Sequence, residues 1–232
     1  MQYDPIKSFL GKLFNSSPAL RVLFYKLLDI LLLRTWHIKK EMNKIKKSFP
    51  ANAEILDAGS GFGQYTYYLS TLSKSYKIKG VDVKSEQIAD CNQFFAKIKR
   101  NCSVTFEEAD LTTLVEPEKY DMILSVDVME HILNDVQVFE NFNKSLKPGG
   151  VLLVSTPSDQ GGSDAHGDEH SFISEHVRDG YNSKDIEEKL KGAGFSKVDV
   201  NYSYGTPGKI SWKLSMKYPP VVEVIKTAVP EH

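Results

Sequence analysis

One stretch, Ala53 to Leu72 (AEILDAGSGFGQYTYYLSTL), restricts what this chain can fold into more than any other. A short apolar run, Ile55 and Leu56, ends on Asp57. Glycines follow at alternate positions, Gly59, Gly61 and Gly63, and then an aromatic-rich segment at helical spacing. Glycine has no Cβ, so a backbone built from it turns sharply and comes close to a ligand. A helix that starts after such a turn presents free N–H groups and the positive end of its dipole. A buried strand running through a glycine turn into a helix is therefore a nucleotide-binding device. The spacing narrows the ligand further. A dinucleotide fingerprint, G-x-G-x-x-G, seats a pyrophosphate. Here the order is D-x-G-x-G-x-G. A carboxylate ahead of the glycines repels a pyrophosphate and suits a ligand that carries a cationic amine.

From Pro50 onward, apolar strands alternate with helical segments, the pattern of βαβ units around a parallel sheet. The first strand is Glu54 to Asp57 and the second Tyr76 to Val83, ending on Asp82. That acid lies about twenty residues beyond the turn, the spacing of a carboxylate that accepts from both ribose hydroxyls. Ser85 is expected to cap a helix whose apolar stripe is Ile88, Cys91, Phe94, Phe95 and Ile98. Ser103 to Glu107 is the third strand. Tyr120 to Val126 is the fourth, a continuous apolar run suited to burial on both faces. It leads into Asp127-Val128-Met129-Glu130-His131, and a helix is expected from Asp135 to Leu146. Lys147-Pro148-Gly149-Gly150 then turns into a fifth strand, Val151 to Ser155. Thr156 to Gly180 is polar and holds His166, His170 and His176. It follows the last central strand, on the side where ligand crevices form. Asn182 or Ser183 is expected to cap a helix (Ile186, Leu190, Ala193) that ends at Gly194, and a sixth strand spans Phe195 to Tyr204.

Taken in order, the glycine turn, the acid of the second strand, Asp110-Leu111, YDMILSVDVMEHI and LKPGGVLLVSTP resemble the blocks of the class I S-adenosylmethionine (SAM)-dependent methyltransferases, the ubiquinone-biosynthesis type among them. The resemblance covers Ala53 to Pro157. It implies an α/β fold of three layers, αβα, with a Rossmann-like, doubly wound, mostly parallel sheet. It also implies SAM as cofactor and a small-molecule methyl acceptor, with oxygen the first acceptor atom considered. Donor contacts carried over by the resemblance are Asp57, Gly59, Ser60, Gly61, Gly63, Tyr65, Asp82, Val83, Val126 and Asp127. Asp110 would accept the adenine amino group while the backbone N–H of Leu111 serves a ring nitrogen. A hydroxyl acceptor must lose a proton, and His131, just beyond the fourth strand, is the candidate catalytic base. Its competing role is to pack or cap locally. D-x-x-E-H (Asp127, Glu130, His131) is similar to the E-x-x-E-H metal cluster of some relatives, but the first acid is one methylene shorter and no metal ligand is assigned. The family's seventh strand, antiparallel beside the sixth, would come from Ile210 to Met216 or from Val221 to Val229, unless the chain lacks it.

Residues 1–48 form an N-terminal helical appendage to a SAM-binding domain at 49–232, an arrangement that 232 residues allow and two full domains would not. Pro18 to Ile38 reads as a helix, with Ser17 at the N-cap position and Pro18 at the first helical position. It is a lid or dimer face packed over the domain, or an interfacial helix with Trp36 near lipid headgroups and Lys39, Lys40, Lys44, Lys46 and Lys47 behind it. A net charge of −1 supplies no global field for nucleic acid, so no nucleic-acid partner is expected. Cys91 and Cys102 have neither metal nor disulfide-framework spacing, and the first residues lack the order of a signal peptide. A cytoplasmic location is expected, peripheral at the inner membrane face if the helix is interfacial. Two rival functions remain. A nicotinamide-dependent oxidoreductase conflicts with the glycine spacing and with the lack of a Tyr-x-x-x-Lys pair after the fourth or fifth strand. A non-catalytic membrane-associated binding module would use the sheet as a scaffold.

Overall fold

The computed structural model describes residues 17–101, 103–159, 177–178, 180–202 and 222–230. Seven strands form one mostly parallel sheet: β1 (Glu54–Ala58), β2 (Lys77–Asp82), β3 (Val104–Glu108), β4 (Tyr120–Val126), β5 (Leu146–Pro157), β6 (Lys197–Tyr202) and β7 (Val222–Ala228). Their order is β3-β2-β1-β4-β5-β7-β6, with β7 antiparallel to both neighbours. The chain winds from β1 outward through β2 and β3, then returns to lay β4 on the other side of β1. In register, Asp57 stands beside Gly80 of β2 and Leu124 of β4. A reversal of this kind opens a crevice at the carboxyl ends of β1 and β4.

Alternating side chains of each strand feed two cores, one on each face. Ile55, Ile78, Met122 and Leu124 meet Leu69 of α3 (Gln64–Leu72) and Phe94 and Phe95 of α4 (Ser85–Lys97). Leu56, Val81, Ile123 and Leu152 meet Phe139 and Phe142 of α5 (Asp135–Ser145) and Ile186 and Leu190 of α6 (Ser183–Gly192). With helices on both faces, the architecture is the three-layer Rossmann-like one.

Several local expectations are corrected. The N-terminal run is two helices, α1 (Pro18–Leu31) and α2 (Leu33–Ile45), because Leu32 between them is extended at φ −100° and ψ 106°. A short 3-10 turn, Lys46–Ser48, follows. Ser17 makes no side-chain cap; its carbonyl accepts the Arg21 N–H at 3.1 Å. Ser85 is the first helical residue rather than the cap, and the carboxylate of Asp82 takes the N–H of Lys84 at 3.0 Å. Asn182 does cap α6, accepting from the Lys184 N–H at 3.0 Å. β5 starts five residues early, at Leu146, because Leu146 pairs with Tyr120 and Val151 with Met122, while Lys147–Gly150 bulges between them and exchanges backbone bonds with Val229. β7 lies in the second of the two stretches considered for it; Ile210 to Met216 falls outside the described residues.

The N-terminal helices share the domain's core: Tyr25, Ile38, Met42 and Ile45 are buried with Ile55 and Leu69. Arg21, only 3% exposed, fastens α1. It forms an ion pair with Asp90 of α4, donates to the Phe62 carbonyl at 2.7 Å and to the Tyr25 hydroxyl at 2.7 Å, and lies 4.6 Å from the Phe94 ring centre. A guanidinium this desolvated is tolerated when its donors are matched in this way. Phe62 belongs to the glycine turn, so α1 grips the loop that the domain is built around.

Candidate active site

The turn after β1 is held against β2: the N–H groups of Gly59 and Ser60 both donate to the Val81 carbonyl, at 2.9 and 2.8 Å. Gly59, Gly61 and Gly63 have φ of +81°, +51° and +79°, in the left-handed region that favours glycine. Gly59 has a second reason to lack a side chain. A Cβ there would stand 2.1 Å from Cγ2 of Val128, just past the end of β4. The missing side chain lets the two strand ends approach across the crevice.

Asp57 is buried, and its Oδ2 accepts the hydroxyl of Thr66 at 2.5 Å. Burial pushes its carboxyl up to about 6, against the pull of hydrogen bonds from Thr66 and with a smaller push from nearby Asp82. Asp82 is half-buried and joins the turn to β2: its Oδ2 accepts from the Gly61 N–H and its Oδ1 from the Lys84 N–H, both at 3.0 Å. Each oxygen keeps a lone pair for a further donor. Val83 beside it is exposed, and an open depression lined by Val83, Lys84, Ser85, Glu86 and Gln87 begins there. Asp110 is already engaged, since its Oδ1 accepts the backbone N–H and the hydroxyl of Thr112, both at 2.8 Å. Leu111 is buried.

Across the crevice, Val126 is buried and Asp127 adopts φ +52° while its N–H donates to the Ser155 carbonyl at 2.8 Å. Its carboxylate pairs with Arg34 of α2. Neither Oδ1 of Asp127 nor Nε of Arg34 has a hydrogen-bond partner, although both atoms are buried. Next to Arg34, the Thr35 hydroxyl lies 3.3 Å from the Tyr65 hydroxyl, so α2 forms a wall between the glycine-turn helix and the end of β4. Burial raises the Tyr65 phenol, opposed by Arg34.

Beyond Asp127 the three residues of the D-x-x-E-H pattern diverge. Glu130, 1% exposed, turns inward to accept the Thr156 hydroxyl at 3.1 Å, and burial raises its carboxyl. His131 is exposed at the end of a 3-10 turn, Met129–His131. Among the described residues no group of three or more His, Cys, Asp or Glu comes together as a metal site. His166, His170 and His176 lie outside the described residues, as do Cys102 and Tyr204. A buried charge cluster braces the turn: Asp135 pairs with Arg178 and with Lys189 at 2.9 Å, and accepts the Tyr181 hydroxyl at 2.7 Å. Arg178 also donates to the Ile132 carbonyl at 2.6 Å.

The sequence reading missed Arg34, Thr35, Thr66 and Val128. Thr66 had one available signal, since a hydroxyl in the first turn of the helix after a glycine loop faces back toward the strand it left. Nothing local marked Arg34, whose partner is 93 positions away.

A family model described as a methyltransferase domain matches residues 50–202 of this chain. The chain belongs to that methyltransferase family. Phosphoethanolamine N-methyltransferase 1 of Triticum aestivum is 31% identical over 161 residues, covering 66% of this methyltransferase-family chain and 30% of the wheat protein. The ubiquinone biosynthesis O-methyltransferase of Rickettsia akari is 25% identical over 122 residues, 53% of this chain and 44% of that protein. The chain thus spans about 30% of the length of the plant relatives it matches. In three dimensions, Haemonchus contortus phosphoethanolamine N-methyltransferase 2, solved with S-adenosyl-L-methionine, superposes with a TM-score of 0.64 at 19% identity, over 83% of this chain and 53% of that one. The cyclase SpnF superposes at 0.65 with 15% identity, over 83% and 82%. The family fold therefore carries more than one chemistry, and function must be argued from the site.

Proposed function

We propose that this chain is a SAM-dependent methyltransferase acting on a small-molecule acceptor. The observation that carries this reading is the pair of carboxylates, Asp57 and Asp82, at the neighbouring ends of β1 and β2 around the glycine turn. Two acids so placed repel a pyrophosphate and favour a ligand that ends in an ammonium group and carries a ribose. The unpartnered Oδ1 of Asp127 across the crevice fits the same cationic end. When bound, SAM supplies an electrophilic methyl carbon with a good leaving group, so displacement needs in-line approach above all. Asp82 takes the sugar hydroxyls on its spare lone pairs. Asp57 and Asp127 would hold the ammonium, and the Gly59 to Gly63 turn with Ser60 would line that end of the site. Tyr65 and α2 exclude water from this end. Asp110, Leu111 and Val83 border the base, and Val126 floors the crevice. Holding the acceptor in line is worth up to about 7–11 kcal/mol in a well-oriented pair. His131 receives the acceptor's hydroxyl proton on an imidazole nitrogen.

Oxygen is the proposed acceptor atom, on a lipid-like molecule or a quinone or glycolipid precursor, with peripheral membrane contact through the N-terminal helices. A nitrogen acceptor is the second reading, favoured by the likeness to the phosphoethanolamine N-methyltransferases. Isothermal titration with SAM and with NADH tests the class of the site: NADH binding without SAM binding defeats the assignment.

Asp82→Ala should weaken SAM binding by about 10- to 100-fold, as two charge-assisted hydrogen bonds go and the Gly61 tether is lost. Asp82→Asn, which keeps an acceptor oxygen but loses the charge, should fall between. Unchanged affinity in both would remove the ribose role.

The raised Asp57 carboxyl gives a pH prediction. Its ionised form binds the ammonium, so SAM affinity should be level at neutral pH and fall about tenfold per unit once pH drops below roughly 6. Stability runs the other way. A carboxyl raised by burial favours the fold below its unfolded value, and that contribution is lost as pH rises through about 6. Asp57→Asn should flatten both profiles, and titrations at several pH values in the variant check it.

A further inference from the structure

We propose that the outer face of α1, with the start of α2, is a docking surface for an anionic lipid bilayer. Leu20, Leu23, Leu27, Ile30 and Leu31 recur at helical spacing on the face opposite buried Arg21 and Tyr25, and Trp36 follows on α2. Ile30 is 80% exposed, Leu31 72%, Trp36 55% and Leu23 50%. A surface helix ordinarily turns its apolar stripe inward and its charges outward. Here α1 packs Tyr25, Val22 and Phe24 inward around the buried guanidinium of Arg21 and still leaves a stripe of leucines and isoleucine in solvent. Single exposed apolar residues need no explanation, but a continuous stripe of them marks an interaction surface.

Charge identifies the occupant. Residues 18–48 hold eight lysines and arginines against two acids, Asp29 and Glu41, although the whole chain carries −1. Both acids are already matched, Asp29 by Lys39 and Glu41 by Lys44. Lys26, Lys40 and Lys47 are exposed and pair with no acid among the described residues. The Lys40 ammonium lies 5.3 Å from the centre of the Trp36 ring, an indole beside a cation at one level of the surface. Apolar residues flanked by an indole and unpaired lysines suit the boundary between acyl chains and anionic headgroups. No helix among the described residues is long and apolar enough to cross a membrane, so the contact lies in the interfacial plane.

The surface is coupled to the site. α2, whose Trp36 faces outward, sends Arg34 to Asp127 and Thr35 to Tyr65 on its inner side. A docked α1–α2 pair therefore holds the wall of the crevice at the lipid surface, where a tailed acceptor is reached without leaving the bilayer. This delivery role rests on the methyltransferase reading; the docking itself does not.

The test is co-sedimentation of the full chain with vesicles of phosphatidylcholine alone or mixed with phosphatidylglycerol, with SAM titration run in parallel. Binding should require phosphatidylglycerol, weaken with salt, and drop at least roughly tenfold in Leu23→Gln/Ile30→Gln/Leu31→Gln. Each of Lys40→Gln and Lys47→Gln should cost about fivefold. Melting temperature and SAM affinity should not move, because these side chains touch neither core nor crevice. No binding, equal binding by the triple variant, or salt-insensitive binding to neutral vesicles would overturn the proposal. A concentration-dependent dimer that the triple variant abolishes would assign the face to a second copy. Vesicle binding seen only after deletion of residues 1–16 would assign it to that segment. SAM binding without vesicle binding defeats the docking alone, and the converse defeats the methyltransferase reading alone.

Discussion

Gly59→Ala is expected to lower stability by about 2–4 kcal/mol and to abolish measurable donor binding. Two costs combine. At φ +81° an alanine pays about 1–2 kcal/mol for the left-handed region. Its Cβ also meets Val128 Cγ2 at 2.1 Å, Cγ1 at 3.0 Å and Cβ at 3.2 Å, and a β-branched side chain, stiff at χ1, has little freedom to move both methyls away. Relief must come from the backbone, by moving the turn off the end of β4 and breaking the bonds from Gly59 and Ser60 to Val81. For a domain of this size the melting temperature should drop by roughly 2–4 °C per kcal/mol. Gly59→Ala/Val128→Ala separates the two costs, removing the collision while keeping the backbone strain. It should recover stability relative to the single variant, less what the lost valine packing takes away. A single variant with wild-type melting temperature and donor affinity would show that the close approach of the two strand ends is irrelevant.

Val128 also marks what a sequence reading reaches. The strand, turn and helix of residues 53–72 are set by local terms, namely apolar run, glycine backbone freedom and helical periodicity, and they stand where those terms place them. Asp82 is legible for a related reason, because the length of a βαβ unit determines where its second strand ends. The limits appear where tertiary contacts decide. LLLRTWH contains neither glycine nor proline, yet the helix breaks at Leu32, and the break lets α1 lie on α4 through Arg21 while α2 sends Arg34 to Asp127. Each contact spans at least 69 positions, far outside any window of local propensity. The KPGG segment misled differently. Its composition is that of a turn, but the pairs on either side, Leu146 with Tyr120 and Val151 with Met122, and backbone bonds to Val229 hold it as a bulge within β5, and Gly149, at φ +75°, keeps the turn's backbone signature. The D-x-x-E-H pattern holds three ligating residue types within five positions, but Asp127, ahead of the 3-10 turn, pairs with Arg34, while the turn sends Glu130 to Thr156 in the core and His131 to the surface.

That divergence sharpens the last expectation. His131→Ala or His131→Gln should reduce kcat by about 10²- to 10⁴-fold, the usual range for a lost general base, with SAM affinity unchanged. The split follows from position. The proposed donor contacts lie on the glycine turn after β1, at the end of β2 and at Asp127, whereas His131 ends the 3-10 turn with an exposed ring. The Asp135, Tyr181 and Arg178 cluster braces that turn, Tyr181 donating to the Met129 carbonyl and Arg178 to that of Ile132, so the fold is expected to survive the substitution, and the melting temperature checks it. With His131 as the proposed base, an acceptor that covers its exposed ring and excludes water is expected, which would suit a broad or tailed molecule better than a small ion. Added imidazole should restore part of the activity of His131→Ala and none of Asp82→Ala, since only the first variant lacks a proton acceptor. If kcat, donor affinity and melting temperature all fell together, His131 would be a structural residue. If kcat stayed within a few-fold of wild type, proton removal would have to be reassigned, and buried Glu130, with its raised carboxyl one residue away, would be the group to test next.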